Sequence, residues 1–179
     1  MKVEIKGMES LRRKLKLTPK ILEEAMWDAT FEISELIKQA TELRIASSVK
    51  YGSGELSGSY KNEVVINAQR KIVGRVWSDK EQAIYREFGT GPVGQESQKD
   101  LPEGITPVYS TSAWFIPVEK VGVDLEAVYG IPRITIQGKD FFLTRGQPAR
   151  PALYPSLKEI VEQASDIYKE HVQKGLKKL

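Results

Sequence analysis

Between residues 22 and 43 the apolar side chains Leu22, Met26, Ala29, Ile33, Leu36, Ala40 and Leu43 recur alternately four and three residues apart. On an α-helix this makes one stripe over three heptads, roughly 35 to 40 Å long at 1.5 Å per residue. Such a stripe serves either as a seam with another chain or, more commonly, as the face that covers a sheet. Thr18 suits the N-cap and Pro19 the first helical position, where its missing N–H leaves nothing unsatisfied, so a long helix is predicted over about 19–46. Ahead of it, LRRKLKL predicts a short basic helix that stops before Pro19, anchored by Leu11 and Leu15. Val3 and Ile5 alternate with charged neighbours and predict a short edge strand.

Residues 47–60, SSVKYGSGELSGSY, are rich in glycine and serine and read as an irregular connection. NEVVINA and KIVGRVW flank Gln69 and Arg70, and their β-branched content predicts an antiparallel hairpin. In DKEQAIYREF the side chains of Ala83, Ile84, Phe88 and Tyr85 share a helical face, with Asp79 placed to cap. From Gly89 to Pro107 no apolar period is found, and a long exposed loop is expected over about 89–112. SAWFIPVEKV predicts a strand that Pro117 confines to an edge. RITI and FFLT flank QGKD and predict a second hairpin across a four-residue turn. Leu153, Leu157, Ile160, Ala164 and Ile167 mark a C-terminal helix over about 152–175. This order of elements implies an α+β fold, a single domain over residues 1–179 with about four to five antiparallel strands, rather than βαβ units.

Gly89, Gly91 and Gly94 stand at the G-x-G-x-x-G spacing of a dinucleotide-binding turn. That chemistry needs a strand before the first glycine and a helix N-terminus at the last, so that free N–H groups face the pyrophosphate. Here a helical pattern precedes Gly89 and no second parallel strand supplies the acidic residue. No cofactor is expected, and the spacing reads as coincidence. His171, the only histidine, falls near the end of the last helix and suits a solvated or packing role. Glu23 with Glu24, and Asp79 with Glu81, have ordinary positions on helix surfaces and at a helix start, so no metal site is expected.

The 179 residues are 40% hydrophobic and 28% charged, with a formal net charge of +3. Neither disorder nor dedicated nucleic-acid binding follows from that balance. Cysteine is absent, which excludes disulfides and thiolate metal sites and suits a reducing compartment. No segment approaches the 18 or so apolar residues of a membrane span, and synthesis in the cytoplasm, without membrane association, is expected. Positive charge gathers near the start, at Lys2, Lys6, Arg12, Arg13, Lys14, Lys16 and Lys20. Arg12, Arg13, Lys14 and Lys16 are the candidate DNA-facing residues, with Tyr51 and Tyr60 in the glycine-rich segment as aromatic neighbours. A DNA-binding accessory protein is therefore the alternative reading.

Two segments, AIYREFGTG and TRGQPARPALYPSL, together resemble the sequence marks of the tail-completion, or head-tail joining, proteins of long-tailed bacteriophages and prophages. The first mark maps onto Ala83, Tyr85, Glu87, Phe88, Gly89 and Thr90, and the second onto Gly146, Arg150, Pro151, Leu153 and Pro155. GSGELSGSY is similar to the family's Gly-x-Leu segment through Gly54, Leu56 and Ser59, which become candidate interface residues. Ala152 stands where the family has phenylalanine, so that anchor is missing or comes from Phe141 or Phe142.

The resemblance implies a non-enzymatic virion protein at the head-tail junction, present in the host cytoplasm during assembly. It implies a six-fold ring in the virion, a monomer being compatible with the isolated state, with the head connector or stopper and the tail terminator or tail tube as partners and DNA in the channel. In the marks themselves, Phe88 is expected to bury while Gly89 ends the helix with positive φ. Arg150 and Pro151 are expected to fix the entry of the last helix, the guanidinium pairing with Glu87.

Overall fold

A helix continues through a proline only where the carbonyl four residues earlier finds another partner. The computed structural model describes residues 7–48 and 53–179, and in it helix α1 runs from Met8 to Ser47 with Pro19 inside. The two helices expected on either side of Thr18 are therefore one. Pro19 takes away the amide that Leu15 O would accept from, but all residues from Met8 to Leu17 are exposed, which leaves that carbonyl open to water. The Thr18 hydroxyl donates back to Lys14 O at 2.9 Å instead of capping. Leu11 and Leu15, expected to anchor the short basic helix, are 49% and 62% exposed. The strand expected at Val3 and Ile5, together with Lys2, Lys6 and Tyr51, lies outside the described residues.

After α1 come β1 (Tyr60–Ile66), β2 (Ile72–Ser78), α2 (Glu81–Phe88), α3 (Gly91–Glu96), β3 (Trp114–Pro117), α4 (Leu125–Tyr129), β4 (Arg133–Ile136), β5 (Lys139–Thr144) and α5 (Leu153–Leu176). The class is α+β. The expected sheet of four to five strands is instead divided in two, β1-β2 and β3-β5-β4, both antiparallel. The chain divides into two compact units. One comprises Met1–Asp79 with Pro155–Leu179, and the other, Lys80–Tyr154, is inserted between them in sequence.

In the first unit α1 buries Ala25, Ala29, Ile33, Ile37, Thr41 and Ile45, a row spaced by four, with Thr30 and Ser34 beside it. The expected heptad stripe is only partly used, since Met26 is 45% and Leu43 70% exposed. Hydroxyl side chains serve as core here because each is satisfied by its own helix. Thr30 donates to Met26 O (2.7 Å), Ser34 to Phe31 O (2.8 Å) and Thr41 to Ile37 O (2.7 Å), so small polar groups enter without an unpaired atom. The hairpin approaches this face at Gly74, where a Cβ would lie 3.1 Å from the Thr30 methyl. Asn62 also donates to Ser34 Oγ at 3.1 Å.

Helix α5 lies on α1 as well. A Cβ at Gly175 would meet Ile21 Cγ2 at 3.0 Å, Tyr168 and Thr30 share a hydroxyl hydrogen bond of 2.7 Å, and Arg44 pairs with Glu159. Ser156 and Ile160 are buried while Leu157, expected on the same stripe, is exposed. The hairpin turn is held by Asn67, whose Oδ1 accepts from the amides of Gln69 (3.0 Å) and Lys71 (2.9 Å). Asp79 does not cap α2, which starts without a side-chain cap. Asp79 instead pairs with Lys61 and accepts from Trp77 Nε1 at 3.1 Å, and these bonds hold its carboxyl below the ordinary 3.8.

The second unit centres on β5, whose Phe142 is fully buried. Pro117 ends the edge strand β3, where its lack of an N–H breaks no ladder. The β4–β5 turn is tighter than expected: Ile136 pairs with Lys139, leaving Gln137 and Gly138 at φ 51 and 76, a two-residue type I′ turn. The short helix α4 has no counterpart among the expectations. Asp124 caps it by accepting from the amides of Glu126 (3.0 Å) and Ala127 (3.3 Å), and Gly130 closes it in the left-handed region. Helix α3 occupies the start of the expected loop, and residues 97–113 contain no helix or strand.

Candidate functional site

The whole of the first mark, and the second as far as Tyr154, fall in the second unit, and there they form one clamp. Helix α2 ends as Gly89 turns out at φ 77, with Phe88 half-buried and Gly89 buried. Thr90 then bridges Gln147: the Thr90 amide donates to Gln147 O at 3.0 Å and the Gln147 amide to Thr90 O at 3.2 Å. Gly146 sits directly over this bridge at φ 101, and a Cβ there would be 1.8 Å from Thr90 O. The Gln147 side chain reaches back to Tyr85 O at 3.0 Å.

The spacing of Gly89, Gly91 and Gly94 is no coincidence in three dimensions. All three are buried, and each faces backbone too near for any Cβ. A Cβ at Gly89 would meet Ala149 N at 2.7 Å, one at Gly91 would meet Arg145 O at 2.5 Å, and one at Gly94 the Gly89 carbonyl carbon at 2.6 Å. The chain's own residues 145–149 pack directly on these glycines, with Arg145 O, Gln147 O and Ala149 N nearest.

Glu87 carries the densest contact of the clamp. Its carboxylate accepts from the amides of Ala152 (2.7 Å), Leu153 (3.0 Å) and Tyr154 (2.8 Å). These belong to the first turn of α5, where helical geometry provides no acceptor and the helix end is positive. The expected guanidinium pair with Glu87 is not formed, because these amides occupy the carboxylate. Arg150 joins the corner through its backbone N–H, which donates to Arg86 O at 2.8 Å, and its side chain is exposed. Arg150→Ala is therefore expected to change stability by no more than about 0.5 kcal/mol in a thermal melt; a larger loss would restore a structural role for the guanidinium.

Pro151, Leu153 and Pro155 are half-buried along the entry to α5, and Ala152 is buried. Of the two aromatic replacements proposed for the family's anchor, Phe142 is fully buried and Phe141 half-buried. Tyr85 faces solvent, its hydroxyl 3.3 Å from Glu81. Three contributors lay outside the marks. Ser97 donates to Gly94 O (2.9 Å) and accepts from the Ala149 amide (2.9 Å). The Lys99 ammonium closes the end of α3 on the carbonyls of Gly94 (2.5 Å) and Ser97 (3.0 Å). Tyr109 donates to Phe88 O (2.9 Å), beneath the Lys99 cation at 5.1 Å from its ring. The irregular segment 97–113 is thus tied to the clamp at two points.

The remaining candidates belong to the first unit. Ser59 donates to Leu56 O at 2.7 Å and shares a 2.7 Å hydrogen bond with Ser78 Oγ, while Gly54 O accepts from the Gly58 amide at 3.0 Å. Gly54, Leu56 and Ser59 thus form a folded turn leading into β1. Arg12, Arg13, Lys14 and Lys16 are exposed on the first turns of α1. His171 Nε2 lies 2.7 Å from Glu32 Oε2. Among the described residues no group of His, Asp and Glu converges as a metal site, and no helix is long and apolar enough to cross a membrane. No protein-family model, curated protein or solved structure matches the chain.

Proposed function

We propose that this chain is a structural virion protein that joins a phage head connector to a tail, acting through assembly rather than catalysis. One observation supports the reading above others. The two segments that resemble the family's marks, about 65 residues apart in sequence, meet in a single hydrogen-bonded clamp. A junction protein must transmit load between two large assemblies, and a clamp built from buried glycine backbone and a triply bonded carboxylate is a stiff way to fix a surface. Ile84, Tyr85 and Arg150 are held outward by it, available to neighbours. In this reading copies associate head to tail through a heterologous interface that closes by rotation, six subunits forming the ring. The head-side partner is the connector or stopper and the tail-side partner the terminator or tube.

Deleting the gene from its phage and imaging the lysate tests this. Filled heads beside free, unjoined tails are the expected result, and normal virions would overturn it. The alternative, a DNA-binding accessory protein, draws on the exposed cations of α1. It predicts tight duplex binding by the purified chain that weakens steeply with salt, and failure to add to isolated tails without DNA.

A further inference from the structure

The start of α1 extends past its cover. Gly175, the next-to-last residue of α5, packs against Ile21 and Ala25, so the stretch from Met8 to Lys20, about 20 Å of helix, has no α5 opposite it. Along this stretch Met8, Leu11, Leu15, Thr18 and Leu22 are spaced three, four, three and four apart. That is a seam of coiled-coil type, with Met8, Leu15 and Leu22 at one core position and Leu11 and Thr18 at the other. Met8, Leu11 and Leu15 are 40%, 49% and 62% exposed. The two positions flanking Leu11 and the seam carry Arg12 and Lys14. Arg13, Lys16 and Lys20 point away from it, and Glu9 is the only acidic residue from Met8 to Lys20. Arg12, Arg13, Lys14 and Lys16 form no ion pair with a described residue.

Charge decides among the occupants of this seam. A second copy of the same arm would set cation against cation in the antiparallel orientation, which is repulsive, and in the parallel one would set Lys14 against Pro19 and Arg12 against Gly7, which leaves the cations unanswered. A nucleic acid would answer the cations and leave the leucines in water. A bilayer surface wants a broad apolar face with aromatic residues, and this ridge is a narrow one of Met and Leu. We propose that residues 8–22 of α1 are a docking helix for an acidic helix of another protein, one with apolar seam residues and glutamate or aspartate flanking them. The inference stands apart from the joining role and holds for any protein that carries this arm.

The test uses the full chain and a labelled synthetic peptide of about three heptads with leucine at its seam positions and glutamate beside them. Saturable binding at low salt is expected. Leu11→Ala with Leu15→Ala, which keeps helix propensity, should weaken it by about tenfold or more. Arg12→Glu with Lys14→Glu should weaken it similarly, and circular dichroism should show the helix retained in both. Absence of peptide binding would overturn the proposal. So would binding indifferent to the two leucines, or stronger binding to duplex DNA or to phosphatidylserine vesicles than to the peptide.

Discussion

Gly146→Ala is expected to destabilise the second unit by ~4 kcal/mol or more, at the extreme of what single substitutions do. Two penalties coincide at this position. The backbone sits at φ 101, where a side chain is strained, and the added Cβ would lie 1.8 Å from Thr90 O and 2.5 Å from Thr90 C. Neither atom can swing aside as a flexible side chain would, because Thr90 is bonded through both its amide and its carbonyl to Gln147. The bridge must open, and the glycine stack beneath it loses its lid. Gly104→Ala separates the two penalties, since Gly104 has φ 80 and nothing within 4 Å of a Cβ. That control should lose about 1 kcal/mol from backbone strain alone. Urea unfolding of the three proteins measures the difference, and equal midpoints for the two variants would remove the steric explanation. Amide exchange at Thr90 and Gln147 should accelerate in Gly146→Ala and stay unchanged in Gly104→Ala.

What the sequence displays and what it conceals divide along physical lines. The two hairpins and α5 are legible because each joins a periodic apolar pattern to a turn or cap residue of known preference, as at Gln137-Gly138. The continuity of α1 is not, since proline reads as a stop unless one knows that the carbonyl it orphans lies in solvent. The buried row of α1 is concealed for a related reason. Thr30, Ser34 and Thr41 count as polar in any pattern, yet back-bonding to their own helix lets them pack like small apolar groups. The heptad stripe through Met26 and Leu43 then looks more convincing than the row that is used.

The clamp is half legible. Glu87, Gly89, Thr90 and Gly146, which the two segments contain, take part in it, and Gly89 ends α2 at positive φ, with an extended ψ of 178 in place of a left-handed cap. The pairing of Arg150 with Glu87 is the simplest reading of opposite charges, and it fails because backbone amides at a helix start compete for the same carboxylate and cannot move away. Gln147, Ser97 and Tyr109 leave no signal, because each acts through a backbone partner far away in sequence, and Lys99 leaves none because a lysine that folds back on nearby carbonyls reads like any exposed lysine. Gly91 and Gly94 do leave a signal. Three glycines so close together need a reason, and when no phosphate chemistry fits, close packing of backbone on backbone is the other physical reason available.

Glu87→Ala is expected to be nearly as damaging, with a loss of about 3 kcal/mol. Three amides at 2.7 to 3.0 Å lose a charged acceptor together, and water can replace it only in part because the site is half-buried. Glu87→Gln discriminates between shape and charge. A carboxamide fills the same volume, but its nitrogen is a donor and opposes one of the three N–H groups, and it brings no charge to the positive end of α5. Its loss should fall between the wild type and Ala, at about 1 to 2 kcal/mol, with faster exchange of the Leu153 and Tyr154 amides than in the wild type. A glutamine variant as stable as the wild type would mean that the carboxylate charge contributes nothing and that volume alone holds the corner. The same pair bears on the joining proposal. Tyr85 lies two residues before Glu87 on an eight-residue helix that the carboxylate ties to α5. If the clamp exists to hold that outward surface still, Glu87→Gln should lose attachment of tails to heads at temperatures where the chain remains folded, whereas Arg150→Ala should lose it only if the guanidinium itself touches a partner.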